Sequence, residues 1–288
     1  MSTLIFTYGY PPAEGGVAVY SAEIAQGFWQ NGESVIVLAP YFKGSKVSDA
    51  RQLFPIYRTP SILFLRELCI LFILPWLIRK YQIKRILSTV WLPCGVISWL
   101  ITRILRIPYF LSAHGSEILD TQNIKNPFKN QVRKRLRFLK IITMKNARAI
   151  FAISENTRQL IISHGISHDK TFVILNGVNS KRFRPLTDDA SKVRARHNLD
   201  RCKIILTLGR LEDYKGHDSV IQILPQVYEN VPNAFYLVVG RGPEREKLEQ
   251  LAKVKQVADR MLFVGYVPDN ELVSYYNTCD VFVMIPRE

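Results

Sequence analysis

Short, fully apolar segments alternate with helix-like segments along almost the whole chain. The apolar segments are predicted strands, at residues 4–7, 35–39, 86–89, 109–112, 149–153, 172–175, 204–208, 235–239, 261–264 and 281–284. Strands without a polar face are buried on both sides, and the helices between them supply the crossovers that parallel strands need. The pattern therefore predicts the α/β class, with doubly wound parallel sheets covered by helices on both faces.

The alternation pauses once, at Asn176-Gly177-Val178, and then restarts. The segment that follows, 179–186, is polar and basic and is typical of a linker. A length of 288 residues also suggests about two domains. We therefore predict two tandem Rossmann-like domains, over residues 1–178 and 187–288.

The basic charge is concentrated in the first half of the chain. The whole sequence has 39 Lys and Arg against 24 Asp and Glu, a net charge of +15. Residues 1–176 hold 22 basic and 9 acidic residues, a net +13, whereas residues 177–288 hold 17 and 15, a net +2. Such an asymmetry indicates an anionic partner for the first half, either an acidic ligand or a membrane surface.

A predicted helix over 127–146 carries much of this charge. The stretch between Asp120 and Glu155 has no acidic residue and holds nine Lys and Arg. One face is expected to be buried because its residues recur at helical spacing. These residues are Val132, Leu136, Leu139 and Thr143. The opposite face, with Arg133, Lys134 and Arg137, is interpreted either as ordinary solvated surface or as a docking face for anionic lipid or acceptor.

The sequence has no obvious spanning helix. The uncharged stretches 68–78 and 86–102 are short or interrupted by polar residues, Pro and Gly, whereas a spanning helix needs about 20 mostly apolar residues. The four cysteines are scattered, without zinc-like or disulfide-like spacing, and favour a reducing compartment. We therefore expect a cytoplasmic protein, peripheral at the inner face of the membrane if the basic helix binds lipid.

Ligands of doubly wound sheets bind at the carboxyl ends of the strands, so the turns there hold the candidate site residues. In the first half, Gly15-Gly16 precede a predicted helix, where backbone amides and the helix dipole can meet an anion. His114 directly follows a predicted strand. Both features also have a structural interpretation, as a plain strand–helix turn and as a structural histidine.

The second half has a more specific turn. Gly209-Arg210 follow a predicted strand, and Lys215-Gly216 precede the next helix. Arg offers a planar fork of donors and Lys a mobile charge, which together can neutralise a pyrophosphate. The alternative is that both are solvated cations paired with Glu212 and Asp213. The next turn, Gly240-Arg241-Gly242-Pro243, allows a close nucleotide contact but lacks the third glycine of the dinucleotide fingerprint.

Several common phosphate-binding and catalytic motifs are missing from the sequence. There is no Asp-x-Asp pair of the kind that holds a metal ion and a nucleotide, and no Gly-Lys-Ser/Thr phosphate loop. The Gly-x-Ser-x-Gly nucleophile elbow is also missing. A bound anion would therefore be met by Arg, Lys and backbone amides, and neither a metal nor another cofactor is expected.

Taken in order, the motifs resemble those of retaining glycosyltransferases of family 4 (glycosyltransferase group 1), which have the GT-B fold. In the first half they are Tyr10-Pro11-Pro12 with Gly15-Gly16, Ala113-His114-Gly115, Ala152-Ile153-Ser154-Glu155 and Asn176-Gly177-Val178. In the second half they are Gly209-Arg210 with Lys215-Gly216, Gly240-Arg241-Gly242-Pro243 and Asp280-Val281-Phe282-Val283. Each motif is weak alone, but the ordered set runs over essentially the whole chain.

The resemblance implies a metal-independent enzyme that moves a sugar from a UDP- or GDP-sugar to a glycan or lipid-linked acceptor, in cell-surface polysaccharide or glycolipid synthesis. It implies an acceptor-binding domain at 1–178, a linker at 179–186 and a nucleotide-sugar-binding domain at 187–288. The partners would be the nucleotide-sugar, the acceptor and an anionic membrane surface, but no nucleic acid. Two alternatives stay open: a nucleotide-sugar 2-epimerase, and a non-catalytic protein that binds the nucleotide-sugar without consuming it.

The resemblance also implies roles for single residues. Arg210 and Lys215 would hold the donor pyrophosphate and stabilise the departing nucleoside diphosphate, and His114 would hydrogen-bond the transferred sugar. These three are the expected catalytic residues. The Gly16 amide would face the donor phosphate or the acceptor, and Tyr266-Val267 would lie beside the base. The full set of expected donor contacts is Gly15, Gly16, Gly209, Arg210, Lys215, Gly242, Tyr266 and Val267.

One departure from the family concerns the end of the sequence. The family has two glutamates, eight positions apart, beyond the Asp-Val-Phe-Val strand, and they contact the sugar and the ribose. This sequence ends at Glu288, before that segment, and Glu288 is assigned to neither position. The second domain is therefore expected to be incomplete, with an open sheet edge that would leave the chain poorly stable or inactive.

Overall fold

The computed structural model describes residues 1–115 and 127–287, apart from the side chains of residues 63, 64, 127–134 and 187–189. The chain divides into two compact units, Met1–Gly177 and Val178–Glu288. A seven-stranded sheet forms the centre of the first unit and a four-stranded sheet that of the second. All described strand pairs are parallel, which confirms the predicted α/β class with two Rossmann-like units.

The described part of the first unit contains seven strands and six α-helices. The strands are β1 (Ser2–Phe6), β2 (Ser34–Pro40), β3 (Ile56–Thr59), β4 (Arg85–Ser88), β5 (Tyr109–Ala113), β6 (Ala149–Ala152) and β7 (Thr171–Val173). The helices are α1 (Gly16–Gln30), α2 (Ser45–Asp49), α3 (Leu63–Lys80), α4 (Val96–Leu105), α5 (Pro127–Asn146) and α6 (Glu155–Ser163). The strand order is β3-β2-β1-β4-β5-β6-β7, so it reverses between β1 and β4.

Apolar layers cover both faces of this sheet. On one face the helices α3, α4 and α5 pack against the strands through residues such as Leu74, Ile101 and Met144. On the other face α1 packs through Ala25 beside Val37 of β2. Helices α3, α4 and α5 therefore form a single layer, and their remaining faces point away from the sheet on the same side.

The described part of the second unit contains four strands and four α-helices. The strands are β8 (Lys203–Leu208), β9 (Ala234–Val239), β10 (Met261–Gly265) and β11 (Val281–Phe282). The helices are α7 (Thr187–His197), α8 (His217–Asn230), α9 (Arg245–Val254) and α10 (Leu272–Thr278). The order is β10-β9-β8-β11, with a reversal between β8 and β11. Helices α8 and α9 lie on one face, and α7 and α10 on the other.

The predicted elements differ from the observed ones in several places. Strand β3 and the helices α2 and α7 were not predicted, and β11 has two residues rather than four. Strand β3 includes Arg58 and is mostly half-buried, so it is not a fully apolar run. Among its described side chains, α7 buries only Val193, which leaves no apolar periodicity to find. Both residues of β11 are exposed, at the outer edge of the described sheet.

The segment predicted as a linker, 179–186, packs on the second unit. Arg182 forms an ion pair with Asp269 at 2.8 Å. The ring of Phe183 meets that of Tyr276 edge-on, with centroids 6.0 Å apart. The amide of Leu186 donates a hydrogen bond to the side-chain oxygen of the asparagine in α10 at 2.8 Å. These contacts attach the segment to α10 and to the turn before it.

The basic helix α5 also differs from its prediction. Leu136, expected in the core, is exposed, and so is Phe138. Lys140, counted with the basic residues, is buried, whereas Thr143 is buried as predicted. The buried stripe is therefore rotated from the expected one, because α5 meets the core through Lys140, Thr143 and Met144. The side chains of Val132, Arg133 and Lys134 lie outside the described residues.

Candidate active site

The predicted catalytic and donor-binding residues lie at or after the carboxyl ends of the strands, and each sheet has one point there at which the strand order reverses. In the first unit the reversal lies between β1 and β4, which continue into Thr7 and Thr89. In the second unit it lies between β8 and β11, and β8 continues into Gly209 and Arg210. A reversal opens a crevice beside the strand ends, because the connections on its two sides leave in opposite directions.

Buried hydroxyl groups join the strand ends of the first unit. Thr89 Oγ1 donates to Thr7 Oγ1 at 2.7 Å, and Thr7 Oγ1 lies 2.9 Å from Ser21 Oγ in α1. The Ser21 hydroxyl also lies 2.7 Å from the carbonyl oxygen of Val17, to which it donates. All three hydroxyl residues are fully buried. This chain of hydrogen bonds fixes the start of α1 to the ends of β1 and β4.

His114 lies beside these hydroxyls, directly after β5. Its Nε2 donates to the carbonyl oxygen of Thr89 at 2.9 Å, and the Tyr20 ring meets the imidazole edge-on at a centroid distance of 4.7 Å. The Tyr20 hydroxyl is 2.9 Å from Ser112 Oγ. Because a carbonyl can only accept, this bond places a proton on Nε2 and fixes the plane of the ring. The structure thus holds the predicted histidine in one orientation at the strand end.

The turn before α1 is anchored in the core. Tyr10 is fully buried. Arg58 of β3 pairs with both carboxylate oxygens of Asp49, at 2.6 and 3.0 Å, and also donates to the carbonyl oxygen of Pro11. A bidentate pair of this kind has a fixed geometry. Arg58 therefore fixes the turn to strand β3.

The two glycines that follow present open backbone. Gly15 has a φ of 115°, which strains any residue with a Cβ. A Cβ added at Gly15 or Gly16 would meet no atom within 4 Å, so the space above the backbone is open. The amides of Gly16 and Val17 begin α1 and donate to no acceptor in the part of the chain that the structure describes. Such amides, at the positive end of a helix dipole, suit an anion.

The two predicted cations of the second unit have different surroundings. Arg210 is 71% exposed and pairs with Glu212 at 2.7 Å. Lys215 ends a short 3₁₀ turn and is half-buried, with Nζ 5.2 Å from the ring centroid of Tyr214. Asp213 pairs with Arg287 instead, at 3.1 Å. Within residues 1–115 and 127–287 no carboxylate pairs with Lys215, so the solvated-pair alternative applies to Arg210 alone.

A buried histidine supports the turn that carries Arg210. His217 is the first residue of α8, is 2% exposed, and donates from Nε2 to the carbonyl oxygen of Arg210 at 3.1 Å. Burial lowers the pKa of the His217 imidazole, which favours its neutral form. At the start of the turn, the Gly209 amide donates to the carbonyl oxygen of Val239 at 2.9 Å. The backbone around Arg210 is thus held from both ends.

Close backbone packing fixes the neighbouring turn. The amide of Leu211 donates to the carbonyl oxygen of Arg241 at 2.9 Å, and the amide of Glu244 to that of Leu211 at 3.1 Å. A Cβ on Gly242 would lie 2.2 Å from the Leu211 carbonyl oxygen, well inside contact distance. Gly242 is therefore required for the two turns to meet. Its expected donor contact stays a prediction.

Of the two residues expected beside the base, only Tyr266 presents its side chain. Its ring is exposed after β10, and the guanidinium of Arg241 lies 5.0 Å from the ring centroid. The side chain of Val267 is buried in the core with Leu206 and Leu237. It points inward because successive side chains of an extended segment point in opposite directions, and the expected contact of Val267 with the base stays a prediction. Only its backbone is left to contact a base.

A cavity of about 1060 Å³ lies away from these residues, at the amino ends of β5, β6 and β7. Its lining includes Arg103, Arg106, Arg148 and Phe172. Since His114 lies at the carboxyl end of β5, this cavity occupies the opposite edge of the same sheet. It is not part of the candidate site.

The residues that hold the site in shape were not predicted from the sequence. They are Thr7, Ser21, Arg58, Thr89 and His217. Thr7 and Thr89 carried a usable signal, since each ends a predicted strand at the edge where ligands bind. Arg58 and His217 carried none, because their roles depend on which loops the fold brings against them.

Two family profiles match adjoining parts of the chain. The profile described as Glycosyltransferase Family 4 matches residues 14–182, and that described as Glycosyl transferases group 1 matches residues 189–287. The chain therefore belongs to glycosyltransferase family 4. This confirms the family that the ordered motifs indicated.

Individual relatives agree with this family over nearly the whole chain. It is 27% identical to the GDP-mannose-dependent alpha-(1-6)-phosphatidylinositol monomannoside mannosyltransferase of Mycolicibacterium smegmatis, over 98% of this chain and 72% of that protein. Anabaena HepE in complex with UDP and glucose superposes with a TM-score of 0.79 at 18% identity, over 99% of this chain and 74% of that one. WaaG, a glycosyltransferase involved in lipopolysaccharide biosynthesis, gives 0.73 at 15%, over 99% and 75%. The structural likenesses confirm the GT-B fold.

Proposed function

We propose that the chain transfers a sugar from a nucleotide-sugar to a glycan or lipid-linked acceptor, with retention of configuration, in the synthesis of cell-surface polysaccharide or glycolipid. The observation that carries the proposal is the placement of Arg210 and Lys215 at the carboxyl end of β8, on a backbone held by His217 and Gly242. Family membership supports the reaction class. The chemistry follows from the roles expected for Arg210, Lys215 and His114.

Arg210 and Lys215 act on the diphosphate of the donor. Breaking the sugar–phosphate bond leaves negative charge on the departing nucleoside diphosphate, and fixed cations lower the energy of that state. Lys215 has no described carboxylate partner to give up. Arg210 must leave Glu212, but an exposed ion pair contributes only about 0–1 kcal/mol, so the exchange costs little. The ring of Tyr266, with Arg241 beside it, offers a stacking surface for the base.

The strand ends of the first unit act on the sugar and on the acceptor. His114 has a fixed ring orientation and hydrogen-bonds the transferred sugar. The amides of Gly16 and Val17 meet an anionic group, either the donor phosphate or the acceptor. Arg133, Lys134 and Arg137 of α5 keep their proposed role as the face toward an anionic membrane or acceptor, which places the enzyme at the membrane surface.

GDP-mannose is the first donor to test. Four relatives at 25–27% identity, from Mycolicibacterium smegmatis, Mycobacterium tuberculosis and Corynebacterium glutamicum, are named as GDP-mannose-dependent and act on phosphatidylinositol mannosides. Each aligns with at least 98% of this chain. An acceptor with a phosphoinositide headgroup also fits the net charge of +13 on residues 1–176.

The test is to incubate the full-length protein with GDP-[¹⁴C]mannose, and separately with UDP-[¹⁴C]glucose, in the presence of acidic glycolipid acceptors. Label in the lipid phase supports the proposal, and nuclear magnetic resonance of the product gives its anomeric configuration. Label in a new free nucleotide-sugar indicates the epimerase instead. Donor binding in calorimetry without any consumption indicates the non-catalytic binder. Either of these two results overturns the proposed reaction.

A further inference from the structure

Helix α3 presents a second apolar face to solvent. Its inner face is ordinary, since Ile70, Leu74 and Leu77 are fully buried against the sheet. The outer face of such a surface helix is normally polar. Here large apolar side chains recur on it at a spacing of three to four residues, and Phe72 among them is 73% exposed. Among the described side chains of α3, the exposed large apolar ones are those of Leu65, Leu68, Leu71, Phe72 and Trp76.

Helix α4 extends this surface. Leu100 and Ile104 lie one turn apart on its outer side, and Ile104 is 80% exposed. Helix α4 contacts α3, and both pack with their inner faces on the same apolar cluster. Their outer faces therefore lie side by side. We call the five exposed residues of α3 together with Leu100 and Ile104 the outer apolar patch; contiguous exposed apolar surface of this kind marks an interaction site.

Exposed basic side chains lie next to the outer apolar patch. Helices α3, α4 and α5 together contain 11 Lys and Arg but only one acidic residue, Glu67. Glu67 pairs with Arg66 at 3.1 Å and accepts a hydrogen bond from Tyr8, so its charge is already engaged. Arg79, Lys80 and Arg103 are exposed at the carboxyl ends of α3 and α4. The rim is therefore cationic.

An aromatic cluster marks the end of α3. Lys80 Nζ lies 4.5 Å from the Trp76 ring centroid and 3.1 Å from the Tyr57 hydroxyl, which is 2.6 Å from the Tyr81 hydroxyl. Trp and Tyr combine an apolar ring with a polar tip, and Lys can extend its charge past an apolar stem. These residue types concentrate where the apolar interior of a bilayer meets the headgroups.

We propose that the outer apolar patch inserts into the headgroup region of an anionic membrane, with the adjacent cations on the lipid phosphates. Charge decides between the occupants: an anionic lipid surface complements the cationic rim, whereas a second copy of this chain would bring two cationic rims together. A helix that lies in the interface does not cross the bilayer, and no described helix is long and apolar enough to do so. The inference extends the proposed lipid-linked acceptor to a membrane-bound enzyme, but binding itself needs no turnover.

The test is co-sedimentation of the chain with phosphatidylcholine vesicles, with and without phosphatidylglycerol, at low and high salt. The wild type should bind the phosphatidylglycerol vesicles and keep part of that binding at high salt, because apolar insertion is not screened. The triple variant Leu68→Gln, Phe72→Gln and Trp76→Gln should lose at least about tenfold in vesicle partitioning. The matched control, Ile223→Gln with Val254→Gln, removes exposed apolar residues of α8 and α9 and should bind like the wild type.

A second readout does not depend on the triple variant folding. Brominated lipid should quench tryptophan fluorescence of the wild type, and the single change Trp76→Phe should remove most of the quenching. Partitioning of a folded triple variant equal to that of the wild type overturns the inference, as does a wild type that ignores anionic vesicles. A wild-type dimer that the triple variant dissociates, seen by sedimentation velocity, assigns the patch to a second copy instead. Sugar transfer to a water-soluble acceptor is assayed in parallel, so that loss of membrane binding and failure of the proposed reaction are told apart.

Discussion

The carboxyl edges of the two sheets are built in different ways. The edge of the first unit is held by side chains: buried hydroxyls of Thr7 and Thr89, and His114 bonded to the Thr89 carbonyl oxygen. Its backbone at Gly16 faces open space. The edge of the second unit is held mainly by backbone packing, so close that Gly242 admits no Cβ, together with the His217 side chain on the Arg210 carbonyl oxygen, and the Arg210 side chain stays at the surface. An edge of oriented hydrogen-bonding groups suits sugar hydroxyls, and an edge with two cations on a rigid backbone suits a diphosphate.

The largest expected effect is on stability, and a matched pair of glycine substitutions compares the two edges. Gly242→Ala should destabilise the second unit by about 2–3 kcal/mol, because the Leu211 backbone must move away from the new methyl group. Gly16→Ala begins a helix in open space and should change stability by less than about 0.5 kcal/mol. Chemical denaturation followed by circular dichroism measures both.

The opposite result would reverse the comparison. If Gly242→Ala is as stable as the wild type but binds nucleoside diphosphate poorly, the glycine serves ligand contact rather than packing. If Gly16→Ala unfolds the first unit, the backbone at the start of α1 is not open. Either outcome would require a different account of why these glycines are present.

The second prediction concerns charge at the edge of the second unit. Lys215→Ala should weaken binding of GDP or UDP to the full-length protein by about 1.5–3 kcal/mol, roughly tenfold or more. Arg210→Ala should cost less, because binding in the wild type first breaks the Arg210–Glu212 pair. Isothermal titration calorimetry measures both, with Lys253→Ala on the outside of α9 as the control.

Equal affinities for the wild type and for a folded Lys215→Ala variant would remove Lys215 from the proposed site. A larger loss for Arg210→Ala than for Lys215→Ala would mean that the ion pair with Glu212 orients the guanidinium instead of competing for it. The diphosphate would then still bind at this edge, but Arg210 rather than Lys215 would contribute more to its binding.

Sequence patterns predicted the positions of some residues at the two edges but not of others. Apolar runs and the turns after them located His114, Arg210 and Lys215 at strand ends, because strand periodicity and ligand position follow from local pattern and sheet topology. Pattern could not predict that Arg58 reaches the turn before α1, or that Val267 points into the core. It also misplaced Leu136, because the residues that α5 buries depend on where the helix crosses the sheet.

The third prediction concerns how the stability of the second unit depends on pH. Burial lowers the pKa of His217 in the folded chain, whereas an unfolded imidazole titrates near 6.5. Below that pH the unfolded state binds more protons, so the stability of the second unit should be constant above about pH 6.5 and fall as the pH drops toward 5. Denaturation of His217→Gln should show a shallower fall over this window.

His197 needs a control in this experiment, since burial lowers its pKa as well. His197→Gln should remove only its own part of the pH dependence and leave that of His217. Carboxylates such as Asp218, whose pKa is lowered by its partner Arg287 despite the opposing effect of burial, titrate at more acidic pH and stay out of the window. An unchanged slope in His217→Gln would show that the bond to Arg210 does not depend on a neutral imidazole.

The smallest expected effect is that of removing metal ions. A divalent cation on the donor diphosphate would lie beside Lys215 and Arg210, where like charges repel it, and the described turn offers it no Asp-x-Asp clasp. The cations of the second edge would themselves neutralise the leaving diphosphate, so EDTA should leave the rate of sugar transfer essentially unchanged. The measurement is the initial rate with EDTA, with Mg²⁺ and with Mn²⁺, on wild type and on Lys215→Ala. Strict dependence of the wild type on added metal would contradict the expectation that Lys215 and Arg210 neutralise the leaving diphosphate without a metal ion. Partial rescue of Lys215→Ala by Mg²⁺ would support it, because the ion would then replace the missing charge.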